Sequence, residues 1–205
     1  MAQSSLLKLT FRINTPLASS EAGTSTDTRS LGILVSRISF FKVQDSSVVR
    51  ETPRITPGST VSFGDEGDDE SFERSGWSAG ERSGTWTVGP RATFSANISG
   101  WSDQDMVIAV TARPYLVKGR HGQLNVDLVA NEVAVGRWTF REGDKRGMVT
   151  PSVRIPTSVL RKSSVLHPEL NIDAPSSPAK LELNSGDTRQ LGLMVARMRF
   201  DRAEN

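Results

Sequence analysis

The chain has 205 residues, 36% of them apolar, and a formal net charge of +2 from 25 Lys/Arg against 23 Asp/Glu. That balance excludes the concentrated basic stripe of a nucleic-acid-binding surface, and the lack of cysteine excludes disulfides, thiolate metal sites and cysteine nucleophiles. No run approaches the roughly 18 apolar residues of a membrane span, and the first residues lack a signal peptide's basic and apolar regions, so a soluble chain of unassigned compartment is expected.

In chain order, Leu7, Leu9, Phe11 and Ile13 alternate with polar residues and predict a strand that ends at Thr15-Pro16. Residues 27–40 then read DTRSLGILVSRISF, a phrase that returns at 187–200 as DTRQLGLMVARMRF. The two share Asp27/Asp187, Thr28/Thr188, Arg29/Arg189, Leu31/Leu191, Gly32/Gly192, Val35/Val195, Arg37/Arg197 and Phe40/Phe200. The alternation ahead of it returns as well, as Leu166, Pro168, Leu170 and Ile172 before Ala174-Pro175. Residues 1–43 are therefore expected to be a partial repeat, the closing strands of a preceding unit. Half a unit cannot bury its own apolar face, so it should dock on the main domain or complete a neighbouring copy.

Residues 44–74 predict an acidic linker or loop, with Pro53, Pro57 and the carboxylates Asp65, Glu66, Asp68, Asp69, Glu70 and Glu73. Such hard oxygen ligands could hold Ca²⁺. Their spacing matches no EF-hand, and a solvated loop accounts for the same residues.

Residues 75–205 are expected to form the complete unit. Strand candidates are 58–63, 85–88, 91–98, 105–112, 123–129, 132–140, 148–155 and 179–183, with a turn at Asn131-Glu132 and one helical turn from Pro156. In the strand after Asp187-Thr188-Arg189, one face carries Gly192, Met194, Ala196, Met198 and Phe200. The other starts apolar and turns polar at Arg197, which predicts an interior strand buried on both faces at its beginning. The fold expected is all-β: a jelly-roll-like β-sandwich of about eight to ten strands with an N-terminal partial repeat.

The order Gly76-Trp77-Ser78-Ala79-Gly80-Glu81, Gly84-Thr85-Trp86, Asn131, Ile155-Pro156 and Asp187-Thr188-Arg189-x-Leu191-Gly192 resembles the β-sandwich accessory domains of bacterial glycosyltransferases and polysaccharide-assembly proteins. The resemblance covers roughly residues 75–200. It implies association with glycans or envelope polysaccharides rather than a defined reaction.

Trp77 and Trp86, with Glu81 between them, are candidate ligand-binding residues, because a sugar ring stacks on an aromatic plate while charged groups take its hydroxyls. Trp101, after Ser99-Gly100, is another. The alternative is that the tryptophans plug the core, as Trp138 is expected to do from its place on a strand. Arg189 could grip an acidic sugar, or with Asp187 it could stitch a turn. His121 and His167 have no metal-ligand spacing, and no nucleophile elbow or phosphate loop is present. The leading reading is a non-catalytic carbohydrate-binding module whose partner is a glycan or polysaccharide. A protein–protein assembly module, forming a homo-oligomer through edge strands, is the alternative, and a glycan-active enzyme with cryptic carboxylates is the third.

Overall fold

The computed structural model describes residues 17–18, 30–31, 52–101, 103–143, 147–181 and 184–204. The chain divides into two compact units, 1–47 and 48–205. In the first, the described backbone is one antiparallel pair, β1 (Leu17–Ala18) with β2 (Ser30–Leu31), Leu17 standing opposite Leu31. The strand expected over 7–13, most of the first copy of the repeat and the docking of the partial unit lie outside the described residues.

The second unit is a jelly-roll-like sandwich of two six-stranded sheets. Its strands are β3 (Thr60–Ser62), β4 (Glu73–Ser75), β5 (Trp77–Glu81), β6 (Gly84–Val88), β7 (Arg91–Asn97), β8 (Met106–Pro114), β9 (Gln123–Ala130), β10 (Val133–Arg141), β11 (Ser152–Ile155), β12 (Val165–Leu166), β13 (Pro168–Ile172) and β14 (Leu191–Arg202). One sheet runs β10-β9-β13-β7-β12, with β4 also on β7; the other runs β11-β8-β14-β6-β5, with β3 also on β14. Every pairing between these strands is antiparallel.

Alternation decides which side of each strand faces the core. In β7, Ala92, Phe94 and Ala96 are buried, and in β9 Leu124, Val126, Leu128 and Ala130 are. They meet Val110, Ile108, Val195, Met198 and Phe200 of the opposite sheet in one continuous core. β14 behaves as its pattern predicts. It pairs with both β8 and β6 and is buried at every residue from Leu191 to Val195, then alternates from Arg197 onward. The double burial has a cause: a satellite cluster of Trp86, Tyr115, Leu181, Leu191 and Met194.

Three expectations are corrected. The described residues 52–74 of the segment expected as an acidic linker or loop over 44–74 are built into the sandwich: β3, inside the strand expected over 58–63, and β4 extend the two sheets, and Ile55, Val61, Phe63 and Phe72 enter the core. Phe72 sits 4.6 Å and Phe63 6.2 Å from the ring of Phe94, so the segment contributes an aromatic cluster that the carboxylates around it masked. The described part of the strand expected over 179–183, residues 179–181, is not a strand. The chain makes a short helix, α2 (Pro178–Leu181), where Pro178 suits the first helical turn and Ser177 Oγ accepts from Lys180 N at 3.3 Å. The strand expected over 148–155 is shortened to β11, because Pro151 has no N–H for the ladder. The helical turn from Pro156 forms as α1 (Thr157–Leu160), and Asn131 and Glu132, with φ of 46° and 68°, make the tight turn between β9 and β10. Among the described residues, no helix is long and apolar enough to cross a membrane.

Candidate functional site

The tryptophans are structural. Trp101 is 4% exposed and donates from Nε1 to Ile55 O at 3.1 Å, tying the segment before β3 to the end of β7. Trp86 is 6% exposed and packs edge-on against Tyr115, with ring centroids 5.9 Å apart. Trp138, expected as packing, is buried and donates to Ser152 O at 3.1 Å. Trp77 is partly buried against the core, 5.0 Å from the Phe63 ring, and gives its N–H to Thr93 O at 2.7 Å. Trp86 and Trp101 therefore offer no plate for a sugar, and Trp77 turns its polar edge inward. Burial removes Trp86 and Trp101 from the expected stacking site, while Trp77 stays half-buried.

Glu81 and Arg189 do come together. Arg189 grips Asp187 through Nε at 3.0 Å and Nη2 at 2.7 Å, and Nη1 reaches Glu81 Oε1 at 3.0 Å. The backbone N–H of Arg189 also donates to Asp187 Oδ1 at 3.0 Å. These bonds hold the Asp187 carboxyl below the usual carboxylate range and raise the already high pKa of Arg189. The motif therefore clamps the loop before β14 onto the end of β5, and its charges are spent on each other.

Three carboxylates of the acidic loop are engaged by the protein itself. Asp68 Oδ1 accepts from Ser62 N at 2.7 Å, and Asp69 is fully buried beside Arg74, 3.1 Å from Nη1. Glu70 pairs with the other nitrogen of the same guanidinium. Among the described residues, no three carboxylates or histidines converge on a metal position.

A different surface has the geometry of a binding site. The outer face of the β10-β9-β13-β7 sheet is polar, because the alternation that buries Ala92, Phe94 and Leu128 turns Arg91, Thr93, Ser95 and Asp127 outward. Register sets these in rows. Ser75, Thr93, Glu169 and Val129 stand side by side across β4, β7, β13 and β9, and Arg91, Asn171, Asp127 and Arg137 form the next row. With strands about 4.8 Å apart, each row presents evenly spaced donors and acceptors.

A groove of about 540 Å³ lies over this face, lined by Glu73, Thr93, Ser95, Glu169, His167 and Lys162 among others. Its groups are held in place. Arg91 is ion-paired with Glu169, and Ser95 Oγ lies 2.9 Å from His167 Nδ1. The left-handed turn residue Asn131 closes one end, accepting from His167 N at 2.8 Å and donating to Val165 O at 3.3 Å. Val129 and Pro168 supply its apolar patches. The expected site omitted these residues. The signal for them was present in the polar half of the alternation in Arg91-Ala92-Thr93-Phe94-Ser95-Ala96-Asn97. Which strands would lie beside it was not.

No family model matches the chain, and no curated protein matches it. Solved structures do. A carbohydrate-binding module CBM36 in complex with calcium and xylotriose is 16% identical over 70% of this chain and 99% of its own, at a TM-score of 0.42. The CBM36-1 domain of a multidomain xylanase from the hindgut metagenome of Trinervitermes trinervoides is 10% identical over 72% of this chain and 98% of its own, at 0.42. The module CBM6cm-2 from Cellvibrio mixtus lichenase 5A in complex with cellotriose is 10% identical over 73% of this chain and 100% of its own, at 0.37. Similarity at these TM-scores assigns neither ligand nor site, and the functional reading rests on the groove itself.

Proposed function

We propose that the sandwich is a non-catalytic carbohydrate-binding module that holds a glycan in the polar groove on the outer face of the β10-β9-β13-β7 sheet. The observation that carries this reading is the cluster of charged and hydroxyl side chains at Arg91, Thr93, Ser95, His167 and Glu169, in which Arg91–Glu169 and Ser95–His167 are already paired before any ligand arrives. A sugar presents a fan of hydroxyls, each both donor and acceptor, and hydrogen bonds to charged groups are worth about 1.5–3 kcal/mol each. The C–H faces of its rings would rest on Val129 and Pro168. Recognition thus proceeds by hydrogen bonding on a preorganised sheet face, not by stacking on tryptophan. The setting that goes with it is an accessory domain beside an enzyme that assembles or transfers polysaccharide.

The edge strand β10 favours this over assembly of copies. It carries a bulge between Ala134 and Gly136, and Arg137 follows, both devices that discourage edge pairing.

Affinity electrophoresis of the purified chain against a panel of bacterial and plant polysaccharides tests the reading. The Arg91–Glu169 pair is largely exposed on the arginine side, so removing both partners should leave the fold intact. The Arg91→Ala/Glu169→Ala variant is expected to bind roughly tenfold more weakly. Retention unchanged in that variant would place any glycan elsewhere.

A further inference from the structure

The arginines of the sandwich divide by partner. Arg74, Arg91, Arg137, Arg154, Arg189 and Arg199 each meet a carboxylate. Arg113 and Arg197 meet none among the described residues, nor do Arg54 and Arg120, which donate to the backbone carbonyls of Ser99 and Leu181; Arg113 and Arg197 differ in sharing one sheet face. Arg113 lies 5.8 Å over the Trp86 ring, with Nη2 3.6 Å from Met194 Sδ, and Arg197 donates from Nε to Thr111 Oγ1 at 3.2 Å. Both partners are neutral, so both guanidinium groups keep their full charge and most of their donors.

They are also neighbours. Arg197 stands opposite Thr111 in the β14–β8 ladder, and Arg113 is two residues further along β8 on the same face. That is a diagonal cross-strand pair, within reach of one ligand group for side chains of this length. Arg113, though not Arg197, also lines a cleft of about 780 Å³ whose walls include Leu116, Phe140 and Val149, with Lys118, Arg141 and a Glu142 carboxylate that accepts from Gly119 N beside them. Thr111 Oγ1 lies 3.1 Å from Thr150 Oγ1, next in sequence to Val149, so the hydroxyl that receives Arg197 adjoins the same cleft.

The internal repeat singles out Arg197 a second time. Most positions shared by the two copies have a fold-level reason in the described one. Asp187 and Arg189 form the clamp, while Leu191, Val195 and Phe200 are buried. A Cβ on Gly192 would come within 2.7 Å of Thr87 Oγ1 and 3.0 Å of Ile172 Cγ1. Arg197 is exposed, with one bond to a threonine, and packing gives no reason for its return.

We propose that Arg113 and Arg197 form an anion subsite that takes the carboxylate of an acidic sugar residue, with the ring entering the cleft beside Arg113. The planar forks of two unpaired arginines match a carboxylate, and Leu116 and Phe140 give the ring an apolar wall. This subsite rests on the carbohydrate-binding reading and adds an acidic glycan to it. The two arginines stand on β8 and β14, in the other sheet from the polar groove, and share no lining residue with it, so the two can be tested apart.

The experiment is calorimetric titration of the full chain with oligogalacturonate and oligoglucuronate, and with their neutral methyl esters. The acidic forms should bind and the esters should not bind at this site. Arg113→Gln/Arg197→Gln should weaken acidic binding by roughly tenfold or more. Arg82→Gln/Arg202→Gln, which removes the same charge from exposed positions, should leave it unchanged, and circular dichroism confirms that each variant is folded. Equal loss in the two double variants would reduce the effect to diffuse charge and overturn the proposal. So would failure of the native chain to bind either acid, or loss of acidic binding only in Arg91→Ala/Glu169→Ala, which would put the acid in the groove. Neutral polysaccharide binding, measured on the same variants, reports on the groove alone and separates failure of that reading from failure of this one.

Discussion

Taking away the guanidinium of Arg74 would strand Asp69, a carboxylate with no exposed side-chain surface, without its counter-charge. Breaking a buried pair from one side typically costs about 3–5 kcal/mol, and urea unfolding of Arg74→Ala should show a loss of that order. Burial is the main cause of the raised pKa of Asp69, with Arg74 working against it. A raised folded pKa means that the stability from Asp69 is present below the unfolded value of about 3.8 and is lost as pH rises through the folded one. The deficit in Arg74→Ala should therefore shrink on acidification; a deficit that stays constant would show that Asp69 finds another partner. Asp105 runs the opposite way. Hydrogen bonds from the Thr157 hydroxyl and N–H, and from Arg154, lower its pKa to about 2. Its contribution is present above about pH 3.8 and is lost as pH falls toward 2. Thermal midpoints across that range should fall less steeply in Asp105→Asn than in the native chain. Trp101→Ala should cost about 3–5 kcal/mol, as a large buried aromatic does. The four tryptophans were plain in the sequence, but their exposure was not, because a glycine-flanked tryptophan reads alike whether it fills a core or faces water.

Among the elements, the junction of β4 and β5 is the tightest. Residues up to Ser75 pair with β7 in one sheet, and those from Trp77 pair with β6 in the other, so the chain changes sheets at Gly76. That residue has φ of 78°, and a Cβ there would sit 2.0 Å from Arg91 O. Gly76→Ala should therefore destabilise by more than about 1 kcal/mol in urea unfolding. A neutral result would mean that the crossing relaxes freely. The stretch Gly76-Trp77 is this sheet crossing, and the crossing turns Trp77 toward Phe63 and Thr93. The segment before it was misread for a related reason. Isolated apolar residues such as Ile55, Phe63 and Phe72 give no periodicity, and their partners Phe94 and Asn97 are far along the chain.

For the whole molecule, one continuous core joins both sheets of the unit 48–205. A fragment of those residues should unfold in a single cooperative transition in urea, and two separate transitions would show that the sheets do not share one core. The polar groove and the unpaired arginines lie on separate sheets, so neutral and acidic ligands should bind without competing, a point that calorimetry with both present would check.

Strand periodicity in the sequence determined the all-β class, the interior placement of β14, the hairpin at Asn131-Glu132 and the turn of α1, since each depends on residues close together in the chain. The repeat identified residues that later proved to be clamp and core. Only the tertiary structure decided that Arg189 spends its charge on Asp187 and Glu81, that Trp86 and Trp101 are buried, and that Thr93, Ser95, His167 and Glu169 share a groove. Each depends on contacts distant in the chain: the groove needs the register between β7 and β13, more than 70 residues apart in sequence, and no local pattern encodes which polar face will lie beside which.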